Sequence, residues 1–344
     1  MKAGLRKASR TVLFLLIGLL LLWVSFRGID FSKLGSILRK ADYIWLIAAA
    51  MVSVVAFVIR ARRWMLLIEP LGYKPSLKNT YHSLLTGYFA NLIFPRLGEV
   101  TRCAALGQKE KLPFDKLVGT VIIERTIDFL TVLILLGVML IAGSGTTGSF
   151  LSKTVISPMN AKISSLFGSS ALLYIVIILC GALGVALYFG LRKKLSARPL
   201  FRKIYSFGDG IIDGLKSIAS LKRKWEFIFL TILLWGAYFL MTFLPLYCLD
   251  STSEIGIGGA LFILVIGSFG MAVPVQSGLG AFHWIVSRGL LVVYGIPLEE
   301  GLAYATLSHE SQLLVIAVLG SVSLYILFGR KSGKIFSVTE ENKS

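Results

Sequence analysis

The feature that most constrains this chain is a series of apolar stretches about as long as a lipid bilayer is thick. A membrane-spanning helix needs roughly 20 apolar residues, with about 17 as the lower limit. Six stretches reach or approach this length without a break: Thr11–Phe26, Tyr43–Ile59, Val118–Ala142, Ala171–Gly190, Trp225–Leu249 and Leu302–Phe328. They predict six full transmembrane helices.

The composition excludes a water-soluble fold. Of the 344 residues, 56% are hydrophobic and only 16% are charged, so too few polar side chains are present to cover a soluble surface. On a chain this apolar, a formal net charge of +18 favours cytoplasmic loops and anionic lipid surfaces over nucleic acid. We expect an all-α polytopic membrane protein, with residues 1–344 forming a single integral membrane domain and no nucleic-acid partner.

Two further apolar stretches are interrupted. Residues 80–106 are broken at Phe94–Gly98, and residues 258–295 are broken at Pro274–Gly280. Proline and glycine break helices because proline lacks a backbone donor and glycine costs backbone entropy. Irregular backbone at membrane depth is tolerated only inside protein or beside a wet cavity. The pattern therefore predicts two re-entrant helical hairpins.

The distribution of Lys and Arg predicts the orientation, because cytoplasmic loops of membrane proteins are basic. Segments expected in the cytoplasm are residues 1–10, Arg60–Lys78, the amphipathic stretch 191–225 and the tail 329–344. Segments expected outside are Gly143–Ser170, Asp250–Gly256 and Ile296–Gly301, together with Arg27–Asp42, which is basic and fits badly. The first hairpin then enters from the cytoplasm and the second from outside, which is the pattern of an inverted-repeat transporter.

Charged residues in these apolar stretches are candidate site residues, since each costs about 2.5–3.5 kcal/mol at membrane depth. Arg96 and Arg102, with Asn91, are expected to bind a lipid headgroup, because a guanidinium matches phosphate oxygens. The alternative is that both arginines reach back to the cytoplasmic interface. Four further residues are candidates for ion pairing or ion coupling: Glu99, Glu124, Arg125 and Asp128. For these, a structural ion-pair lock is the alternative.

Polar residues near the second break are expected to line the outer part of a pathway: Gln276, Ser277 and His283. His283 is either a proton-coupling group or a neutral, hydrogen-bonded histidine. His309 and Glu310 are polar residues within the last span. They begin an H-E-x-x-H pattern, but Leu313 stands where the second histidine is required, so the metalloprotease motif fails. We expect no metal site and no cofactor.

Other motif matches fail on their context. Gly143–Gly148 has the G-x-G-x-x-G pattern, but it follows a membrane span rather than a strand and belongs to no βαβ unit, which excludes nucleotide binding. The sequence contains no recognisable catalytic motif, so we do not expect an enzyme.

Four segments together carry a family resemblance: Arg60–Trp64, Asn91–Arg102, Ile123–Asp128 and Pro274–Gly280. In order and spacing they resemble the lysylphosphatidylglycerol synthase transmembrane (flippase-like) family, over roughly residues 10–330. The resemblance implies a multi-pass protein of the bacterial inner membrane with two re-entrant hairpins. It also implies movement of a lipid between leaflets, best known for aminoacylated phosphatidylglycerol. The orientation derived above places both termini in the cytoplasm.

The chain departs from the family in two ways. Full-length synthases carry a soluble aminoacyl-transferase domain, whereas this sequence stops at Ser344, so aminoacyl transfer is not expected. The second hairpin of the family usually reads Pro-Gly-Gly with an acidic residue soon after. Here Gln276 and Ser277 replace Pro-Gly, and His283 stands at the acidic position, which leaves the lipid headgroup open.

The leading hypothesis is a flippase that moves an anionic or aminoacylated phospholipid, or a lipid-linked intermediate, between leaflets. A membrane-embedded transferase using a lipid carrier and a scaffold for an envelope enzyme are the alternatives. Membrane phospholipid is the expected partner. A homodimer and an envelope or lipid-modifying enzyme are further partners that the sequence leaves open.

Overall fold

The structure is a computed structural model that describes residues 16–141 and 221–329. These residues form helices and connecting turns, with no β-strand among them. In chain order the helices are α1 (Leu16–Phe26), α2 (Phe31–Lys40), α3 (Ile44–Ile68), α4 (Leu77–Ile93), α5 (Gly98–Glu110), α6 (Phe114–Ile141), α7 (Lys224–Phe243), α8 (Ile257–Ala272), α9 (Ala281–Tyr294) and α10 (Leu298–Leu324). Short helical turns lie at Glu69–Leu71, Leu244–Cys248, Asp250–Ser253, Gln276–Gly278 and Tyr325–Gly329.

The chain divides into two compact units. One comprises Met1–Glu124 with Leu221–Ser344, and the other comprises Arg125–Ser220. The boundary falls within α6. The assignment of residues 1–344 to one integral membrane domain stays a prediction.

Three helices of the described ranges are long and apolar enough to cross a membrane: Ile44–Leu71, Lys224–Cys248 and Leu298–Gly329. They confirm an all-helical, multi-pass architecture. Two shorter apolar helices, α1 and α8, accompany them. The predicted span at Ala171–Gly190 and nearly all of the segment 191–225 lie outside the described residues. The total of six spans therefore stays a prediction.

One predicted boundary is wrong. The apolar stretch after Tyr43 was expected to end at Ile59, before a basic loop, but α3 continues to Ile68. The side chains of Arg60 and Arg63 are buried within this extension. A helix can carry arginines into a protein interior when an acidic partner compensates their charge, and such a partner is present, as described below.

Helices α4 and α5 form the first helical hairpin. The side-chain oxygen of Ser76 caps α4 by accepting from the backbone of Asn79. At the other end α4 stops at Ile93, two residues before Pro95, because the residue that precedes a proline avoids the helical conformation. The turn closes when the Gly98 N–H donates to Oδ1 of Asn91 at 2.7 Å.

A carboxylate joins the two arms of this hairpin at the end opposite its turn. Oε1 of Glu110, the last residue of α5, accepts from the backbone and hydroxyl of Ser76 at 3.0 and 2.8 Å and from Nδ2 of Asn79 at 2.8 Å. Burial pushes the pKa of Glu110 upwards, but these three hydrogen bonds outweigh it and hold the pKa below its ordinary value. Glu110 is therefore ionised at neutral pH and ties the two arms together.

Helices α8 and α9 form the second helical hairpin. Its turn, from Val273 to Gly280, contains two glycines with positive φ, Gly278 at 77° and Gly280 at 79°, a conformation that glycine adopts without a Cβ penalty. A Cβ at Gly280 would lie 2.5 Å from the backbone nitrogen of Leu22 in α1. The hydroxyl of Ser25, also in α1, donates to the Gly280 carbonyl at 3.0 Å. Helix α1 is thus packed directly against the turn of the second hairpin.

The close approach of α4 and α5 predicts a sensitive position at Gly87. A Cβ there would lie 2.6 Å from the carbonyl oxygen of Gly98 and 2.9 Å from Cβ of Arg102. We expect Gly87→Ala to destabilise the folded protein by about 1–3 kcal/mol through overpacking, measured as a lower unfolding temperature in detergent. Gly236→Ala in α7 is the control, since its Cβ would meet nothing within 4 Å. Equal unfolding temperatures for the two variants would contradict the tight packing of this hairpin.

Candidate functional site

A buried cluster of three arginines surrounds Glu124. Nη2 of Arg60 and Nη2 of Arg63 lie 2.8 and 3.3 Å from Oε1 of Glu124, and Nη2 of Arg102 lies 2.8 Å from Oε2. The four side chains are between 0 and 5% exposed. Both carboxylate oxygens are thus engaged, and the cluster joins α3, α5 and α6.

Neighbouring side chains hold the arginines in place. Arg102 lies over the indole of Trp64, with 4.7 Å from the guanidinium carbon to the ring centroid, a distance typical of a cation–π contact. Nε1 of Trp64 donates to the Thr120 hydroxyl at 2.9 Å. Nη1 of Arg60 donates to the Tyr238 hydroxyl at 2.6 Å. The charged groups are therefore fixed by a polar and aromatic shell.

Arg102 has more buried donors than the cluster uses. Its Nη2 lies 2.8 Å from Oε2 of Glu124, whereas its Nε and Nη1 are buried and have no hydrogen-bond partner among the described residues. Unmatched buried donors favour a nearby acceptor.

Two members of this cluster have different predicted roles. Arg102 was expected to bind a headgroup and Glu124 to pair or couple, and the structure brings the two together. Arg60 and Arg63 were missed as site residues. The sequence did contain a signal for this site. Two arginines three residues apart occupy neighbouring positions on one face of a helix, and here they directly follow an apolar stretch.

Two of the remaining charges form a local pair in the second unit. Nη1 of Arg125 lies 3.8 Å from Oδ2 of Asp128, one helical turn away in α6, as their spacing predicts. The side chain of Arg125 is 42% exposed, whereas that of Asp128 is 14% exposed.

The tips of the two hairpins bind each other. Nη2 of Arg96 donates to the Ala272 carbonyl at 2.9 Å. In the opposite direction, the side chains of Gln276 and Ser277 donate at 3.3 Å to backbone carbonyls of the first hairpin, those of Ile93 and Asn91 respectively. All three acceptors lie in the last turn of α4 or α8, where helical carbonyls lose their intrahelical partners. Each hairpin therefore satisfies helix-end carbonyls of the other.

The other predicted residues of the first break lie beside this junction. Asn91 uses its Oδ1 to close the hairpin turn, and Glu99 lies in the first turn of α5. Arg96 is exposed, has a positive φ of 61° and makes one hydrogen bond to the described residues. Arg96 is thus the cationic group at the junction, and its other N–H donors make no hydrogen bond to the described residues.

Behind the second tip, three predicted residues from two helices converge. Oε1 of Glu310 in α10 lies 3.4 Å from Nε2 of His283 in α9 and 3.3 Å from Nδ1 of His309. Nε2 of His309 lies 2.9 Å from the Ser277 carbonyl. His283 and His309 are buried. The sequence presented these residues as two separate groups, and the fold unites them.

Comparison with known proteins agrees with this architecture. The family model for the lysylphosphatidylglycerol synthase TM region matches residues 11–320. The chain belongs to this family. The resemblance indicated by the sequence motifs is confirmed, and the family is one of membrane proteins.

Two curated relatives are archaeal. Glycosyltransferase AglD of Haloferax volcanii is 23% identical over 321 residues, covering 87% of this chain and 51% of that protein. The UPF0104 membrane protein MJ1595 of Methanocaldococcus jannaschii is 29% identical over 125 residues, covering 36% of this chain and 37% of that protein. The chain thus spans at most about half the length of either relative. No solved structure matches it.

The Glu124 cluster predicts that substitutions at two carboxylates differ strongly in their effect on the stability of the protein. Glu124→Gln removes the carboxylate that three buried arginines share, and breaking a buried pair by removing one partner costs about 3–5 kcal/mol. Glu299→Gln removes the partly exposed partner of Lys33 and should cost below about 1 kcal/mol. We expect a much larger fall in unfolding temperature for Glu124→Gln, measured in detergent. A wild-type unfolding temperature for Glu124→Gln would show that the arginines do not depend on this group.

Proposed function

We propose that this protein moves an anionic phospholipid, or a lipid-linked intermediate that carries a phosphate, between the two leaflets of the cytoplasmic membrane. The observation that carries the proposal is the junction of the two hairpin tips, where the cationic Arg96 binds the end of α8 and keeps an exposed guanidinium. Transport rather than catalysis is proposed because the polar groups at the junction position backbone instead of forming a nucleophile–base arrangement.

The lengths of the hairpin arms support a junction near the middle of the bilayer. Helices α4 and α8 contain 17 and 16 residues, which corresponds to about 25 Å each at 1.5 Å per residue. Placed end to end, the two arms measure about 50 Å, close to the 40–45 Å or so of a bilayer with its headgroup regions. We propose that both hairpins are re-entrant and enter from opposite sides, with the chain termini in the cytoplasm.

The chemistry at the tip suits a phosphate group. A guanidinium has five N–H donors in a planar fork that matches phosphate oxygens. Arg96 uses one of these donors in its hydrogen bond to the Ala272 carbonyl. Around it, Ile93, Phe94 and Leu97 are exposed apolar side chains that suit acyl chains. A lipid can therefore place its headgroup on Arg96 while its tails stay in an apolar environment.

The Glu124 cluster has a supporting role in this proposal. Arg102 is 1% exposed, so a headgroup reaches it only if the cluster opens. Arg102 pairs with Glu124 and so fixes α5, the arm of the hairpin that begins directly after the turn containing Arg96. We assign Arg102 to this role and Arg96 to direct contact.

A second candidate function is a membrane-embedded transferase that uses a lipid carrier. The observation in its favour is that the relative AglD, which this chain matches over 87% of its length, is named a glycosyltransferase. The chain covers only 51% of that protein, so the two candidates are separated by experiment. A transferase consumes a soluble donor, and a flippase moves lipid without one.

The transport proposal predicts that Arg96 controls lipid movement. Purified protein in liposomes should carry fluorescently labelled phosphatidylglycerol to the far leaflet, measured by quenching from outside. We expect Arg96→Ala to lower the rate at least tenfold, Arg96→Lys to keep part of it, and Arg39→Ala, an exposed arginine of α2, to match wild type. Equal rates for Arg96→Ala and wild type would contradict the proposal and favour a scaffold. Turnover of a sugar nucleotide without lipid movement would favour the transferase.

The proposed orientation predicts which loops react from outside the cell. In a protein whose cysteines, Cys103, Cys180 and Cys248, are replaced by alanine, Ser251→Cys should react with a membrane-impermeant thiol reagent. Lys74→Cys should be protected until the membrane is permeabilised, and both positions are exposed in the fold. Labelling of Lys74→Cys in intact cells would overturn the orientation of the two hairpins.

A further inference from the structure

The cluster of His283, His309 and Glu310 has the donor geometry of a metal site. His283 lies in the first turn of α9, directly after the turn of the second hairpin, and His309 and Glu310 lie within α10. Their three ligand atoms all lie within 4.8 Å of one another. The same oxygen, Oε1 of Glu310, faces both imidazole rings.

The hydrogen bond on the far side of His309 defines which of its ring nitrogens is free to bind a cation. A backbone carbonyl only accepts, so the 2.9 Å contact with the Ser277 carbonyl places the proton on Nε2 of His309. In the neutral ring Nδ1 then carries a lone pair, and it faces a carboxylate oxygen at 3.3 Å. Two acceptors at this distance repel unless a cation lies between them.

His283 adds a third donor to the same point. Its Nε2 lies 3.4 Å from Oε1 of Glu310, and its Nδ1 is buried without a hydrogen-bond partner among the described residues. The ring of Phe282 stacks on His309 at 5.0 Å and provides an apolar wall. A partly dry pocket of this kind strengthens the attraction between nitrogen or oxygen donors and a cation.

Two of the three separations between ligand atoms match a tetrahedral transition metal. Zinc binds histidine nitrogen and carboxylate oxygen at about 2.0–2.2 Å, which places two tetrahedral ligands about 3.3 Å apart. The observed separations of 3.3 and 3.4 Å agree with that value. Two histidines with one carboxylate form a known zinc ligand set that leaves a fourth position open. A carbonyl acceptor on the second nitrogen of a histidine is typical of metal-bound imidazole.

We propose that His283, His309 and Glu310 bind a divalent transition-metal ion of the zinc class. The ion links α9 to α10 and, through the hydrogen bond from His309 to Ser277, holds the turn of the second hairpin. Ser277 also binds the first hairpin through the carbonyl of Asn91, so the metal stabilises the tip junction. This inference does not depend on lipid transport, because metal binding is measured on the protein alone.

The sequence pattern alone did not show this site. The zinc-protease motif fails at Leu313 because that motif takes both histidines from one helix. In this fold the second histidine is His283, which lies 26 residues before His309 on another helix. Only the packing of α9 against α10 brings the three ligands together.

The test uses the full-length protein in detergent with its purification tag removed and its metal stripped by a chelator. Calorimetric titration with Zn²⁺ should show one bound ion per chain, and zinc should raise the unfolding temperature because it binds the native state. Mg²⁺ should do neither, since it prefers oxygen ligands in an octahedral site. Bound Co²⁺ should give the absorption of a tetrahedral complex.

Variants distinguish this site from other sites of zinc binding. His283→Ala, His309→Ala and Glu310→Gln should each weaken zinc binding at least a hundredfold. His82→Ala is the matched control, because His82 is the remaining histidine of the chain and contacts Ser323 instead. If His309→Ala fails to fold, Glu310→Gln, whose side chain is 43% exposed in the wild type, keeps the test decisive. Absence of zinc binding in wild type, or equal binding in all four variants, would overturn the proposal in favour of a shared proton.

Discussion

The structure depends on one carboxylate that three buried guanidinium groups share. Removing four charged side chains from water costs several kcal/mol for each ion, and only close pairing and hydrogen bonding compensate this cost. Glu124 supplies the compensation for Arg60, Arg63 and Arg102 within 3.3 Å. Since these residues lie on three helices, the same interaction that neutralises the charges also fixes α5, an arm of the first hairpin, against α3. The hairpin is thereby held by electrostatics as well as by apolar packing.

A second constraint acts at the hairpin tips, where the ends of α4 and α8 are joined by hydrogen bonds. A broken helix leaves carbonyl oxygens without intrahelical donors, and in an apolar environment each of these must find another partner. Here Arg96, Gln276 and Ser277 donate across the junction to carbonyls at the end of the opposite hairpin. The polar side chains that interrupt the apolar sequence pattern therefore donate the hydrogen bonds that these carbonyls lack within their own helices. The junction consequently contains the cationic Arg96 and polar side chains, and the exposed apolar residues Ile93, Phe94 and Leu97 are close to Arg96 in the sequence.

Family membership describes the scaffold, whereas the activity has to come from the sites that the scaffold carries. The lysylphosphatidylglycerol synthase TM region accounts for most of the chain, and one relative bears the name of a glycosyltransferase. The sequence similarity thus extends to a protein with a different kind of name. In this chain the second hairpin carries Gln276, Ser277 and His283, which contact the first hairpin or α10.

The sequence by itself determined the local features: the apolar spans, the helix breaks near Pro95 and between Pro274 and Gly280, and the positions of charges too costly to face lipid. These follow from side-chain hydrophobicity and from proline and glycine backbone preferences, which act over a few residues. Only the tertiary structure decided the partners: Arg60 and Arg63 with Glu124, Arg96 with the end of α8, and His283 with His309 and Glu310. These groups lie far apart along the chain, and no local pattern encodes them. Helix packing sets which charged groups come within hydrogen-bonding distance, because burial forces each of them to find a partner wherever the fold provides one.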